Sequence, residues 1–151
     1  MIPKGLIMDR VEKLARDVLN DYSDKTMHLV CVLKGGSDFF HDLITQIRRI
    51  QTHSCTGTIP FTVDFIRCKS YSGTESTGNV EITGADLNKL KGKHILLVED
   101  IVDTGGTMQK VIPHLQTFNP GSVKVVTLLE KRTTRSCGYF ADYAAFSIPD
   151  M

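Results

Sequence analysis

Two apolar runs in this sequence are too short for helices, and each breaks at a turn into residues spaced for a helix. Leu29-Val30-Cys31-Val32-Leu33 ends at Lys34-Gly35-Gly36, and Ser37 to Ile50 then places Phe39, Phe40, Leu43, Ile44 and Ile47 at helical steps. His94 to Val98 is the second run; a loop over Asp103 to Gly106 and a helix over Thr107 to Phe118 follow it. A short continuous apolar run bounded by turn residues fits a strand buried on both faces. Strands that alternate with helices select a mostly parallel sheet covered on both sides. The predicted fold class is therefore α/β, with a mostly parallel central sheet flanked by helices.

The rest of the chain fits that frame. Met8 to Tyr22 is predicted helical, with Val11, Leu14, Ala15, Val18 and Leu19 on one stripe and Asp9 near the start, where a carboxylate suits the helix dipole. Phe61 to Arg67 alternates and reads as a strand; Asn79 to Ile82 is a candidate short strand, and Asp86 to Gly92 a short connection. Val123 to Leu129 and Tyr143 to Ile148 complete the predicted strands. Pro113 falls inside the second helix, where a kink is expected, and Asn119-Pro120-Gly121 stops it. Ser70 to Asn79, rich in Ser, Thr and Gly, is expected to be a mobile loop.

Composition narrows the function classes. The 151 residues suit one domain, 1–151, with its own core. The net charge is +1, with 41% hydrophobic and 23% charged residues, which argues against disorder and against a nucleic-acid partner. No apolar run approaches the roughly 20 residues of a membrane span, and Met1 to Arg10 shows no signal-peptide pattern. A cytoplasmic protein with no membrane partner is expected. Cys31, Cys55, Cys68 and Cys137 form no CxxC pair and read as reduced thiols. The histidines are scattered, so structural zinc is not expected.

The chemistry concentrates in Leu97-Val98-Glu99-Asp100-Ile101-Val102-Asp103-Thr104-Gly105-Gly106-Thr107. An apolar strand delivers two carboxylates, a third follows, and a Thr-Gly-Gly-Thr loop opens a helix. In α/β sheets ligands bind outside the carboxyl ends of strands. Small-residue loops at helix N-termini cradle anions. Glu99 and Asp100 can accept from vicinal sugar hydroxyls or hold a divalent cation, Thr104 and Thr107 can donate, and Asp103 can take or relay a proton. The competing reading is an acidic turn followed by an N-capped helix. Neither a P-loop nor a dinucleotide-binding glycine motif is present.

Leu97 to Met108 resembles the phosphoribosyl-diphosphate motif of the type I phosphoribosyltransferases. Val-Leu-Lys-Gly-Gly within Leu29 to Phe40, Val63 to Tyr71 and Leu128 to Tyr139 resemble the hypoxanthine-guanine branch, and the resemblance spans nearly the whole chain. It implies transfer of 5-phosphoribose from phosphoribosyl diphosphate to N9 of a 6-oxopurine, with Mg as cofactor. Glu99 and Asp100 would hold the ribose hydroxyls, directly or through Mg. Asp103 would be the catalytic base at purine N7, and Asp103, Thr104, Gly105, Gly106 and Thr107 would cradle the 5-phosphate. Lys34 and Gly35 would line the diphosphate side, at a strained or cis peptide in the family. Ser70 and Tyr71 would close over the diphosphate as part of a flap. Lys131, just beyond the strand ending at Leu129, would donate to the purine 6-oxygen, with Arg135 nearby. Read alone, Lys131 fits a surface lysine as well as a ligand, and Lys34 a turn lysine as well; Arg67 and Lys69 are expected to contact a partner subunit or support the diphosphate side, with sheet-edge charges as the competing reading.

The sequence departs from the family at both ends and at Gly106, where a longer side chain is common. The stretch after Ile148-Pro149-Asp150 would normally supply the wall that stacks on the purine and a further Mg ligand, and the small hood is largely missing. These departures set the expectation of impaired turnover, with a non-catalytic phosphoribosyl-diphosphate-binding relative as the alternative. The family is typically a homodimer or homotetramer.

Overall fold

A computed structural model describes residues 2–32, 37–52, 60–70, 80–84, 86–102, 106–132 and 141–149. Helix α1 (Lys4–Asp21) leads into β1 (Met27–Val32), α2 (Ser37–Thr52), β2 (Phe61–Ser70) and β3 (Val80–Thr83). A 3-10 turn at Leu87–Leu90 then precedes β4 (His94–Val102), α3 (Gly106–Gln116), β5 (Ser122–Arg132) and β6 (Tyr143–Pro149). The six strands form one sheet in the order β3-β2-β1-β4-β5-β6. Every neighbouring pair is parallel except β2 and β3.

The strand period of two sorts the core. Leu29 and Cys31 of β1, Leu96 and Val98 of β4 and Val126 of β5 pack with Val11, Leu14 and Val18 of α1 and Phe39, Leu43 and Ile47 of α2. Val30, Val32, Ile95, Leu97 and Val125 point the other way, onto Met108, Val111 and Leu115 of α3. All six residues of β1 are buried, as a central parallel strand covered on both faces requires. Each fully buried Leu, Ile or Val contributes about 1.5–3 kcal/mol relative to its exposed state. The α/β class and the double-sided cover follow the sequence pattern. None of the described helices is long and apolar enough to cross a membrane.

Several boundaries differ from the expected ones. Helix α1 begins at Lys4, not near Met8, because Pro3 enters with an extended backbone and its carbonyl accepts from Ile7 N at 3.1 Å. Its first turn holds no acidic residue, so Asp9 lies too far along to act at the dipole's end. Three strands outrun their apolar runs. β4 continues to Val102, β5 to Arg132 and β2 to Ser70, because backbone pairing persists where the side chains turn polar. Lys131 is therefore inside β5 and pairs with Ile148. Ser70 ends β2 opposite Val80, while 71–79 lie outside the described residues. Arg67 and Lys69 are not on an edge strand, since β3 covers that side of β2.

Connections fix where a ligand can sit. From β1 the chain crosses through α2 to β2 on one side; from β4 it crosses through α3 to β5 on the other. Crossovers of one hand running in opposite directions put their helices on opposite faces, as α2 and α3 are. The strand order therefore reverses between β1 and β4, and a crevice is expected at their carboxyl ends.

Candidate active site between the carboxyl ends of β1 and β4

Glu99 and Asp100 lie on β4 beside this switch point, two to three residues before the strand ends. Glu99 is buried although it is a carboxylate, and its Oε1 accepts from the Asp100 amide at 3.0 Å. Asp100 is half-buried. Burial pushes its carboxyl above the ordinary value, and the charge of Asp38 pushes it further. Asp38 stands in the first turn of α2, the helix that follows β1. Acidic groups from both sides of the switch thus converge, an arrangement that favours a cation or a set of sugar hydroxyls between them. Among the described residues no three His, Cys, Asp or Glu side chains gather into a closed metal cage. Magnesium fits that donor set, because it typically takes one or two carboxylates and completes its shell with water and phosphate oxygens.

The backbone under Asp100 is held from the neighbouring strand. Thr127 of β5, fully buried, shares its hydroxyl between the carbonyls of Asp100 and Leu129, each at 3.2 Å. Sequence reading passed over Thr127 because it sits in an apolar run, where only its polarity marks it. Asp38 was passed over because a carboxylate in a first helical turn ordinarily serves the helix dipole.

Past Val102 the chain re-enters regular structure at Gly106, the first residue of α3. The first amides of a helix have no intrahelical partners and carry the positive end of its dipole. Gly106 and Thr107 therefore put the positive end of α3 at the carboxyl edge of the sheet, an arrangement that favours an anion there. On the far side of β4, Val102 pairs with Glu130, which puts half-buried Lys131 at the same edge. The buried carboxylate of Glu130 takes the amide of Ala141, tying β5 to the start of β6. The structure thus brings Glu99, Asp100, the α3 start and Lys131 to one end of the sheet. Lys34, Gly35, Tyr71, Asp103, Thr104, Gly105 and Arg135 lie outside the described residues, as does the peptide expected to be strained.

The sequence model of the phosphoribosyl transferase domain matches residues 3–151. Hypoxanthine-guanine phosphoribosyltransferase of Homo sapiens is 51% identical over 150 residues, covering 99% of this chain and 68% of that protein. Its counterpart in Mus musculus is 50% identical over the same shares. A crystal structure of a hypoxanthine-guanine phosphoribosyltransferase from Bacillus anthracis superposes with a TM-score of 0.81 at 32% identity, covering 98% of this chain and 82% of that one. The chain belongs to the phosphoribosyl transferase domain family, in its hypoxanthine-guanine phosphoribosyltransferase branch.

Proposed function

We propose that the chain transfers 5-phosphoribose from phosphoribosyl diphosphate to hypoxanthine or guanine, giving the purine mononucleotide and diphosphate. The observation that carries this reading is the placement of Glu99 and Asp100 at the switch point, on the strand that leads to the start of α3, with Lys131 one strand away. The bond from the ribose anomeric carbon to the diphosphate oxygen breaks, and a bond to purine N9 forms. Glu99 and Asp100 hold the ribose hydroxyls and orient the sugar. Asp103, as the catalytic base, takes the purine's N7 proton as N9 attacks, and residues 103–107 hold the 5-phosphate. Lys34 and Gly35 line the diphosphate side, Ser70 and Tyr71 close over it, and Arg135 supports the site or a subunit contact. Lys131 donates to the 6-oxygen, which adenine, with a donor at that place, does not offer. Catalysis is then positioning, stabilisation of the leaving charge and exclusion of water. Magnesium, held at Glu99 and Asp100, supplies neutralisation of that charge when bound.

The same reading makes residues 1–151 one phosphoribosyltransferase domain. It makes the protein a cytoplasmic homodimer or homotetramer that works on small molecules, without nucleic acid or membrane. The binding-only alternative is not favoured, given 51% identity over 150 residues to a protein named for the transferase activity. The test is an assay with phosphoribosyl diphosphate, Mg and each of hypoxanthine, guanine, xanthine and adenine. Nucleotide formed from hypoxanthine or guanine and not from adenine supports the proposal. Binding of phosphoribosyl diphosphate with no nucleotide from any base overturns it in favour of the binding-only reading, and turnover of xanthine alone reassigns the base.

A further inference from the structure

The amino edge of the sheet, opposite the candidate active site, carries a second concentration of polar side chains. A cavity of about 380 Å³ opens there, lined among others by Lys25, Thr26, His28, Thr62, Lys93 and His94. Met27, Phe61 and His94, the first residues of β1, β2 and β4, are aligned in register, and His28, Thr62 and His94 from these three strand starts line the cavity. Its volume falls within the range of about 300–1,000 Å³ usual for small-molecule sites.

The charges in this cavity are unequal. Asp24 and Lys25 both line it and are spent on each other, with Oδ1 and Nζ 3.2 Å apart. Lys93 is half-buried and makes no ion pair among the described residues. A cation partly removed from water without a counter-ion is an electrostatic cost that an anion relieves. The main chain at Lys93 is held from two sides: its amide donates to Leu90 O at 3.0 Å, and its carbonyl accepts from Gly121 N at 2.8 Å. The ammonium is thus carried on a fixed backbone, which lowers the ordering cost of binding.

The lining is polar where the core pattern calls for an apolar residue. His28 is 2% exposed in a strand that otherwise reads Met-Leu-Val-Cys-Val. Its Nε2 lies 2.8 Å from Asp64 Oδ2, and its Nδ1 is bonded to Thr62 Oγ1. With Asp64 ionised, Nε2–H donates to the carboxylate and Nδ1 accepts from the Thr62 hydroxyl. Both ring nitrogens are satisfied, and Thr62 is held at the cavity with lone pairs to spare. His94 is oriented as well, through Nδ1 and Ser122 Oγ at 2.9 Å.

We propose that this amino-edge cavity is a second anion site, which takes a small phosphomonoester with its phosphate on Lys93 and its polar body against Thr26 and His94. The site is separate from the one that binds phosphoribosyl diphosphate and stands whether or not that reading holds.

Residue-resolved amide NMR tests it, with inorganic phosphate and ribose 5-phosphate as separate probes. The expected result is saturable shifts at residues 24–28, 62 and 92–94, tighter for the ester than for phosphate. Lys93→Gln is expected to weaken them at least tenfold while leaving shifts at 106–110, the carboxyl edge, unchanged. Lys25→Gln, which leaves the Asp24 carboxylate without its partner beside the site, is the second variant, with a smaller loss in the same direction. Absence of saturable shifts at the amino edge overturns the proposal, as does binding there that survives both substitutions. Equal affinity for phosphate and ester overturns the assignment of the ester.

Discussion

The Asp100 amide donates to Oε1 of Glu99 at 3.0 Å, so the two adjacent carboxylates of β4 are not equivalent. Glu99 is buried with a main-chain donor, whereas Asp100 is half-buried with Asp38 as a like-charged neighbour. The Asp100 carboxyl is raised above 3.8, by burial first and Asp38 second. A carboxyl whose folded pKa is raised holds its proton more tightly when folded, so its ionisation lowers stability as pH rises through that range. Asp100→Asn is expected to unfold at higher urea than the parent at pH 7, with the advantage fading as pH falls to 3.8 and below. The same variant is expected to lose roughly 100-fold in phosphoribosyl transfer through misplacement of the sugar. A variant less stable at pH 7 would show that Asp100 is satisfied where it stands.

Lys131 offers a sharper test of substrate reading. Its main chain is fixed by pairing with Ile148, so its ammonium starts from a rigid strand at the carboxyl edge. A hydrogen bond from a charged donor contributes about 1.5–3 kcal/mol, or roughly 10- to 150-fold. Lys131→Met is expected to lower kcat/KM for hypoxanthine and guanine within that range, with KM for phosphoribosyl diphosphate little changed. Steady-state kinetics with each substrate varied in turn would show it. Equal losses toward both substrates would instead mark Lys131 as part of the frame.

The central sheet was legible because β1 and the first half of β4 bury both faces, and continuous apolar runs such as Leu29 to Leu33 and Ile95 to Val98 record that directly. Strand ends were not legible. Ile101, Val102, Lys131 and Ser70 extend their strands by backbone pairing, which leaves no mark on side-chain polarity. Glu99 and Asp100 stood out as charges after an apolar run, and the structure puts them at the switch point. Thr127 and Asp38 did not, because their roles depend on neighbours far away in sequence, Thr127 on Asp100 and Asp38 on the same residue across the crevice. His28 was visible only as one more scattered histidine; its meaning comes from Thr62 and Asp64, 34 and 36 positions on.

That histidine has a predictable titration. Its pKa is lowered, by burial first and by Lys93 second, against the opposing pull of Asp64. A histidine whose folded pKa is depressed adds stability that is fully present above its unfolded value and is lost as pH falls through the window down to the folded one. Lys93→Gln removes one depressing cause, so the His28 ring is expected to titrate at higher pH in proton–carbon NMR. The stability loss on acidification should shrink accordingly. An unchanged His28 midpoint would mean that solvent screens the Lys93 charge from the ring.

The thiols divide by burial. Cys31 is fully buried between β2 and β4, and its thiol is pushed up to about 11, by burial first and by the charge of Glu99 second. The thiolate is the nucleophile, so Cys31 should resist iodoacetamide at pH 8 in the folded protein and react in urea. Cys68, half-buried on β2, is expected to label ahead of it, as peptide mass mapping would report. Early labelling of Cys31 would mean that β1 opens to solvent well below the cost of global unfolding.

Gly84 tests the hairpin that brings Ser70 to the carboxyl edge. The residue follows β3 directly, at φ +106°, where a side chain is strained, and a Cβ there would stand 2.8 Å from the carbonyl oxygen of Phe65. That oxygen belongs to the backbone of β2, so it yields only if the pairing of Arg67 with Thr83 shifts with it. Gly84→Ala is therefore expected to cost about 1–3 kcal/mol, the usual size of such backbone strain. The loss should be local: amides at 67–70 and 80–83 should exchange faster with solvent, while those of β1 and β4 keep their protection. Because Ser70 rides on this hairpin, the proposed flap should also close less well, raising KM for phosphoribosyl diphosphate more than that for the purine. A loss spread evenly over all strands would instead show that β3 folds as one unit with the parallel sheet.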